Sequence, residues 1–437
     1  MNFLINEQAS SQQPTEKPKF FYGYIVVSVA LLIMAVSSGT TVSFGVFFKP
    51  LLTEFGWTRA MISGAFSVAM FLSGVLGIGV GRLNDRFGPK LVVTVCSSFL
   101  GLGYLLMSQV STIWQLYLFY GVIIGIGTSA FWVPLLSTVA RWFGRRRGMM
   151  TGVTLTGVGI GSMIMPPIAN WLISEYGWRT SYIIMGIVVL VIIIPAAQFL
   201  KRDPNKMGLL PYGGEEVKAQ RLNLQTRGFS PQQAMQTRQF WIFIFMTFCS
   251  SFGFQAIWVH IVPYAVDLGI TAANAASILI VMGGVGIVAR IIMGYIGDRI
   301  GYKPAYSIGF ILIAMSLFWV TLANELWMLY LFGAIFSLGS AGMGALSSPM
   351  TAQLFGMRSH GVIFGVTSLS WTIGAAVGPA LSGGIFDVTN SYQLAWLTCG
   401  ALAAVGIIAT SLLKPVRGMV KAKDSFVRGN NKIPRKV

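Results

Sequence analysis

The feature that most restricts the fold of this chain is a succession of twelve long apolar stretches. Each has about 20 residues or more, the length that an α-helix needs to cross the hydrocarbon core of a bilayer. Only 10% of the residues are charged, against roughly 25% in soluble domains, which argues against a water-soluble fold. We therefore predict an all-α membrane protein with twelve transmembrane helices. The spans lie near residues 20–48, 57–80, 90–109, 113–140, 149–174, 178–199, 239–264, 272–297, 303–322, 326–352, 360–386 and 391–413.

A polar stretch divides the spans into two groups of six. No short apolar core with a small-residue cleavage site follows the polar first residues, so we expect the first span to be a retained helix and not a signal peptide. The predicted parts are an N-terminal tail at 1–19, a first bundle at 20–199, a linker at 200–238, a second bundle at 239–413 and a basic C-terminal tail at 414–437.

The basic residues indicate the topology. The chain has 31 Lys and Arg against 13 Asp and Glu, and nearly all of the basic residues fall on the side that holds both tails. Lys49, Arg59 and Arg179 fall on the other side. The positive-inside rule then places both termini in the cytoplasm, and we expect a multi-pass protein of the cell inner membrane that attracts anionic lipid. Nucleic acid is not expected as a partner, because the basic positions are scattered with little aromatic interleaving.

The sequence offers no pattern for a cofactor or a metal. Cys96, Cys249 and Cys399 lie inside apolar spans, without the spacing of a disulfide framework or a zinc site. Neither a phosphate-binding P-loop nor a dinucleotide-binding fingerprint occurs, and no His, Cys or carboxylate cluster has metal spacing. We therefore expect no enzyme activity, no cofactor and no metal.

An internal repeat relates the two groups of spans. Gly81–Lys90 joins spans two and three, and the similar Gly294–Lys303 joins spans eight and nine at an offset of 213 residues. The same offset carries Gly152 to Gly365. Two parallel six-helix halves of this kind place a substrate path at their interface, near the middle of the membrane.

The repeated segment G-x-x-x-D-R-x-G-x-[KR] resembles the signature loop of the major facilitator superfamily. The resemblance implies the fold of that family and a gating role, in which the charged residues close one end of a central cavity. The alternative is a role in folding, as turn residues and positive-inside charges. The signature residues are Gly81, Asp85, Arg86 and Gly88 in the first half and Gly294, Asp298, Arg299 and Gly301 in the second.

A second stretch is similar to the opening of the fifth helix of monocarboxylate transporters. It comprises Trp142–Gly148, with its basic pair Arg145 and Arg146, and the following glycines. The resemblance covers nearly the whole membrane region and is closest to bacterial members grouped with monocarboxylate and oxalate/formate transporters. It implies a secondary active transporter of small monocarboxylate anions such as lactate, pyruvate and formate. The glycines of the motif are Gly152, Gly157 and Gly161.

The charge inventory of the spans singles out Arg290, about 18 residues into span eight. An arginine on the lipid face there would cost on the order of 2 to 3 kcal/mol, so its side chain is expected to face the interior. No Asp or Glu in the middle of any span neutralises it, and a guanidinium stays protonated, so an anionic substrate is predicted. The family resemblance assigns Arg290 to binding the substrate carboxylate. The alternative is that it snorkels to the surface or bonds helix carbonyls.

Three departures from the family pattern bear on substrate and coupling. Animal monocarboxylate transporters have an Asp where this chain has Gly286 and a Lys where it has Val42, and both positions are tied to proton coupling. The second cation of oxalate exchangers would fall around Gly374, where no Lys or Arg occurs. One fixed positive charge suits a monoanion better than a dianion.

Proton coupling is still expected, with Asp267 and His260 near the outer end of span seven as candidate carriers. Histidine titrates near pH 6.5, and a partly buried Asp can be raised toward that range. The alternative for His260 is a polar residue of the interfacial aromatic belt. His360 is placed in an inner loop, without a role.

The predicted function is alternating-access transport of a monocarboxylate by a monomer in the lipid bilayer, with a proton as second cargo. Three alternatives remain at this level. They are a carboxylate exchanger of the oxalate/formate type, an exporter of amphipathic drugs, and a membrane sensor that transports nothing.

Overall fold

The computed structural model describes residues 21–57, 59–213 and 228–414, and this part of the chain is almost entirely helical. The first half holds α1 (Gly23–Val42), α2 (Phe44–Phe55), α3 (Arg59–Phe87), α4 (Pro89–Met107), α5 (Ile113–Leu116), α6 (Gly125–Thr128), α7 (Val133–Trp142) and α8 (Arg147–Gln198), with a π-helix at Tyr117–Ile124. The second half holds α9 (Pro231–Met235), α10 (Arg238–Asp267), α11 (Ala272–Ile300), α12 (Tyr302–Val320), α13 (Leu326–Phe355), α14 (His360–Thr389) and α15 (Gln393–Leu412), after a 3₁₀-helix at Pro204–Met207.

These helices account for the predicted membrane spans. Eleven helical stretches of the described chain are long and apolar enough to cross a membrane. One of them, α8, has 52 residues and contains two spans, because Gly177 interrupts it with a positive φ of 75°. The all-α prediction with twelve spans is therefore confirmed. The N-terminal tail and all but the first residue of the C-terminal tail lie outside the described residues.

The signature segments are helical for most of their length, which corrects their placement in loops. Helix α3 continues through Asp85 to Phe87, and α11 continues through Asp298 to Ile300. Gly88 and Gly301 follow these ends, with φ of 89° and 96°. A side chain is disfavoured at such φ values, so glycine is where the helix stops and the chain turns. The two aspartates therefore project from rigid helix ends.

Each half has its own hydrophobic core. In the first half the largest buried side chains include Trp142 and Tyr104, and in the second half they include Trp396 and Phe332. Large apolar side chains such as Val191 remain exposed on the outer surface. Such an exterior suits a hydrocarbon solvent, and the core cluster of the first half also takes in two residues of the second half, where the halves meet.

The predicted linker begins as part of the first half. Tyr212 donates its backbone N–H to the carbonyl of Trp142 at 3.1 Å, and its own carbonyl accepts from Gly144. The indole of Trp142 also donates to the carbonyl of Lys201 at 2.7 Å. These bonds hold the described start of the linker against the end of α7. Residues 214–227 of the linker lie outside the described part.

Candidate functional site

A cavity of about 240 Å³ lies between the two halves. Trp132, Leu155 and Val158 line it from the first half, and residues of α10, α11, α12, α13 and α14 line it from the second. Its α10 residues, Thr247 to Phe254, lie in the middle of that helix. The cavity therefore occupies the interface where the repeat predicts a substrate path.

Arg290 lines this cavity from α11 and is the charged residue among those that do so. A Cβ at Gly159 of α8 would lie 3.4 Å from its Nη1, so the guanidinium extends to the first half. The described ion pairs join Arg141 to Asp85 and Arg179 to Glu54, and they do not include Arg290. The side chain thus faces the interior with a permanent charge that no described carboxylate balances.

Most hydroxyl groups around the cavity already donate to helix carbonyls. Thr247, Ser340 and Ser347 each donate to a carbonyl three or four residues earlier, at 2.7 to 2.9 Å. Such hydroxyls can still accept a hydrogen bond but have no proton left to give. They contribute polarity to the wall without providing donors for an anion.

Two hydroxyl groups of the wall differ from these because no described carbonyl accepts their protons. The Oγ of Ser250 is buried and has no hydrogen-bond partner among the described residues. Tyr306 lines the cavity from α12, and no hydrogen bond is described for its hydroxyl. A buried polar atom without a partner costs about 1 to 3 kcal/mol. These two hydroxyls and the guanidinium are therefore free to donate to a ligand, as are the indole N–H groups of Trp132 and Trp371, for which no hydrogen bond is described.

The remainder of the wall is largely aromatic. Phe254 and Trp371 lie side by side with ring centroids 5.8 Å apart, and Phe254 also stacks on Trp258 at 5.6 Å. Phe364 contributes from α14, and Trp132 from the first half. The site combines one cationic, hydrogen-bonding region with an apolar region.

One end of the interface is closed by polar contacts; we name it the basic end, because the segments 81–90 and 141–148 lie there. Asp298 at the end of α11 accepts the backbone N–H groups of Gly148 and Met149, both at 2.8 Å. These groups belong to the first turn of α8, whose unpaired N–H groups and dipole favour an anion. The Tyr302 hydroxyl donates to the same carboxylate at 2.8 Å.

The other signature aspartate makes the equivalent contact in the opposite direction. Asp85 at the end of α3 accepts the backbone N–H of Gly361, in the first turn of α14, at 3.0 Å. Arg141 pairs with the same carboxylate at 2.7 Å and donates to the carbonyl of Met357 at 3.4 Å. Each half therefore supplies a carboxylate to the first turn of a helix in the other half.

Glycines bring the backbones together at this end. A Cβ at Gly148 would lie 2.5 Å from the carbonyl oxygen of Gly294, and a Cβ at Gly361 would lie 2.5 Å from that of Gly81. A Cβ at Gly152 would overlap the carbonyl of Arg290. A side chain at these positions would force α8 away from α11, or α14 away from α3.

The remaining signature and motif residues lie outside these contacts. Arg86 and Arg299 are exposed and lie over the rings of Phe87 and Tyr295, 5.1 and 5.2 Å from their centroids. Arg145 is exposed as well.

The remaining residues of the α8 motif also lie away from the contacts between the halves. Gly157 and Gly161 pack against the α1 backbone at Leu31 and Ala35, within the first half. Arg146 is exposed, has a positive φ of 63°, and lies over Tyr212.

The two candidate proton carriers do not line the cavity. His260 has both ring nitrogens in hydrogen-bonding distance of partners in its own half, Nδ1 of the Tyr392 hydroxyl at 3.2 Å and Nε2 of the Pro379 carbonyl at 3.0 Å. Asp267 is exposed at the end of α10. His260 therefore fastens α10 to α14 and to the start of α15.

The placement of His360 in a loop was wrong. His360 is the first residue of α14, is fully buried, and has Nε2 3.0 Å from the Ser348 carbonyl. Its repeat counterpart, Arg147, is likewise buried at the start of α8 and donates to the Ala140 and Phe143 carbonyls. These buried side chains fix the helix starts that the aspartates contact.

Several residues of the site were missed by the sequence reasoning. Arg141 was counted with the loop charges, although it binds Asp85. Ser250, Tyr306 and Gly159 carry no sequence signal that separates them from other small or aromatic residues of the spans. The offset of 213 residues does relate Gly148 to Gly361, and could have indicated that both helix starts receive an aspartate.

Comparison with known proteins identifies relatives over most of the chain. The family model described as Major Facilitator Superfamily matches residues 29–296 and 243–436. Human monocarboxylate transporter 11 is 28% identical over 416 residues, 92% of this chain and 85% of that protein. Bovine (Bos taurus) monocarboxylate transporter 13 is 28% identical over 413 residues, 90% of each chain. The proton:xylose symporter XylE, bound to 6-bromo-6-deoxy-D-glucose, superimposes with a TM-score of 0.73 at 14% identity over 91% of this chain and 97% of its own.

Proposed function

Because this chain belongs to the major facilitator superfamily, and is thus a multi-pass membrane transporter, we propose that its cargo is a monocarboxylate anion bound by Arg290. The observation that carries the proposal is a guanidinium in an interfacial cavity without a described carboxylate partner. The similarity to monocarboxylate transporters supports the same cargo.

The hydrogen-bond donors support a carboxylate in particular. A guanidinium presents a planar fork that matches two carboxylate oxygens. Ser250 and Tyr306 supply further hydroxyl donors on the same wall. Other hydroxyls of the wall, such as that of Ser340, donate their protons to helix carbonyls. Arg290 is the one positive charge among the described residues that line the cavity, which supports a monoanion.

Transport would proceed by alternating access of the two halves. The described hydrogen bonds between the halves lie at the basic end, where Asp85 and Asp298 contact helix starts across the interface. At the opposite end, the ion pair of Glu54 with Arg179 stays within the first half. This arrangement supports an access path from that opposite end. With the basic end in the cytoplasm of a cell inner membrane, the path would open outward.

Symport with a proton remains part of the proposal, with His260 and Asp267 as candidates. Neither residue lines the cavity, and the hydrogen bonds of His260 stay within the second half. A coupled proton would therefore act through the packing of α10 and not through direct contact with the anion. An imposed pH gradient across proteoliposomes measures this coupling.

The test of the proposal is uptake of labelled pyruvate and lactate by proteoliposomes containing the full-length protein. We expect Arg290→Gln to abolish saturable uptake, because the cavity then offers no charge to the anion. We expect Arg290→Lys to lose most activity, since an ammonium cannot reproduce the bidentate fork. Arg238→Ala, which removes an exposed arginine at the start of α10, is the matched control and should transport normally. Equal uptake by Arg290→Gln and the control would refute the proposal.

A further inference from the structure

The apolar part of the cavity is large compared with the simplest monocarboxylates. Pyruvate and lactate have about six non-hydrogen atoms and occupy roughly the volume of three or four waters, ~100 Å³ at ~30 Å³ per water. The cavity measures about 240 Å³. If its carboxylate binds Arg290, either acid would leave a large part of the cavity empty or filled with water.

The wall around that remaining space is mainly apolar and has few hydrogen-bond donors to offer a polar substituent. Thr247, Ser340 and Ser347 have committed their protons to helix carbonyls. The opposite region is formed by the paired rings of Phe254 and Trp371. A substituent that meets these aromatic faces is stabilised when it is apolar, and most of all when it can stack.

The two regions belong to one cavity and are shared between the halves. Arg290, Phe254 and Trp371 come from the second half, whereas Trp132 and Val158 enclose the space from the first. A molecule that spans both regions would contact both halves at once. Contacts to both halves are what a cargo needs if its binding is to favour rearrangement of one half against the other.

We infer that the preferred cargo is a monocarboxylate with a bulky apolar substituent of about the size of a phenyl ring, held between the Arg290 guanidinium and the Phe254–Trp371 wall. This inference rests on the proposed function, since it requires the carboxylate at Arg290. It adds that side-chain size, and not the carboxylate alone, determines selection. Pyruvate and lactate then become weak cargoes of the same site.

The test compares phenylacetate with pyruvate in proteoliposomes, using phenylacetamide as an uncharged isostere. We expect a KM for phenylacetate at least about tenfold below that for pyruvate, since burial of a ring's apolar surface is worth at least that factor. Phenylacetamide should compete at least about tenfold less well than phenylacetate.

Variants of the wall separate size selection from general damage. Trp371→Ala should raise the KM for phenylacetate about tenfold and change that for pyruvate less than about twofold. Trp171→Ala is the matched control, because Trp171 is an exposed tryptophan outside the cavity. Should Trp371→Ala fail to fold, Ala341→Leu provides a second route: the added methyl groups fill the cavity and should exclude phenylacetate while pyruvate still passes.

The outcomes are distinguishable. A lower KM for pyruvate than for phenylacetate, or an equal rise for both in Trp371→Ala, would overturn the size inference and leave carboxylate transport intact. Absence of saturable uptake for both acids would instead overturn the proposed function.

Discussion

Replacing Asp298 with Asn tests whether the basic end is held shut by a carboxylate on a helix start. The carboxylate accepts two backbone N–H groups of α8 at 2.8 Å and the Tyr302 hydroxyl at 2.8 Å. An amide keeps one acceptor oxygen but turns an NH₂ group toward the second N–H. The shape of the contact is preserved, while its charge and one hydrogen bond are lost.

The expected magnitude follows from those contacts. Hydrogen bonds to a charged group are worth about 1.5 to 3 kcal/mol against about 1 kcal/mol for neutral ones, and a charge at a helix N-terminus adds about 0.3 to 1 kcal/mol. The substitution should therefore weaken the closed basic end by about 2 kcal/mol. That corresponds to a roughly thirtyfold larger population open at this end, as long as the open state remains the minor one.

Cysteine labelling measures this population. In a chain lacking Cys96, Cys249 and Cys399, the substitution Ser340→Cys places one thiol on the cavity wall. We expect Asp298→Asn to raise its labelling rate from the basic end by a membrane-impermeant reagent more than tenfold. Asp203→Asn is the matched control, because that carboxylate caps a 3₁₀-helix within one segment. Equal labelling rates for Asp298→Asn and the control would show that the contact does not hold this end closed.

Two further substitutions probe packing at the basic end and the role of the histidine. Gly152→Ala places a Cβ against the carbonyl of Arg290, so we expect faster labelling from the basic end in the same assay. Gly283→Ala, whose Cβ meets no atom within 4 Å, is the control and should label like the parent. Identical labelling rates for the two variants would count against close packing at Gly152. His260→Phe removes hydrogen bonds to Tyr392 and Pro379, so we expect a loss of about 1 to 3 kcal/mol of stability, seen as a lower Tm. The same variant separates the two candidate proton carriers: loss of the stimulation of uptake by a pH gradient would make His260 the carrier, whereas its persistence would leave Asp267.

The membrane spans and the repeat could be predicted from the sequence because both are patterns in the order of the residues themselves. A bilayer requires about 20 apolar residues per helix, and the offset that relates Asp85 to Asp298 needs no knowledge of packing. The ends of the helices were harder to predict from the sequence. The charged residues after Gly81 suggest a loop, yet the helix continues until Gly88 adopts a positive φ.

The details of the site depend on contacts that the sequence does not encode locally. Serine and threonine are common in the spans, and most donate their hydroxyl proton to a carbonyl of their own helix. That Ser250 alone of the buried serines facing the cavity is left without a partner results from how α10 packs. The pairing of Arg141 with Asp85 likewise joins residues 56 positions apart. A family resemblance could indicate Arg290, but not the groups around it.

The internal repeat duplicates the contacts at the basic end but not the cation of the cavity. The repeat offset places Gly77 of α3 where α11 has Arg290. The backbones are equivalent, because a Cβ at Gly365 would lie 3.0 Å from the Gly77 carbonyl oxygen, just as one at Gly152 overlaps that of Arg290. A Cβ at Gly77 would meet no atom within 4 Å, so packing does not forbid a side chain there. The contact between an aspartate and a helix start thus occurs twice, whereas a second cation, which would repel the first and favour a dianion, is left out. Under the proposed function, this asymmetry suits one carboxylate per cycle.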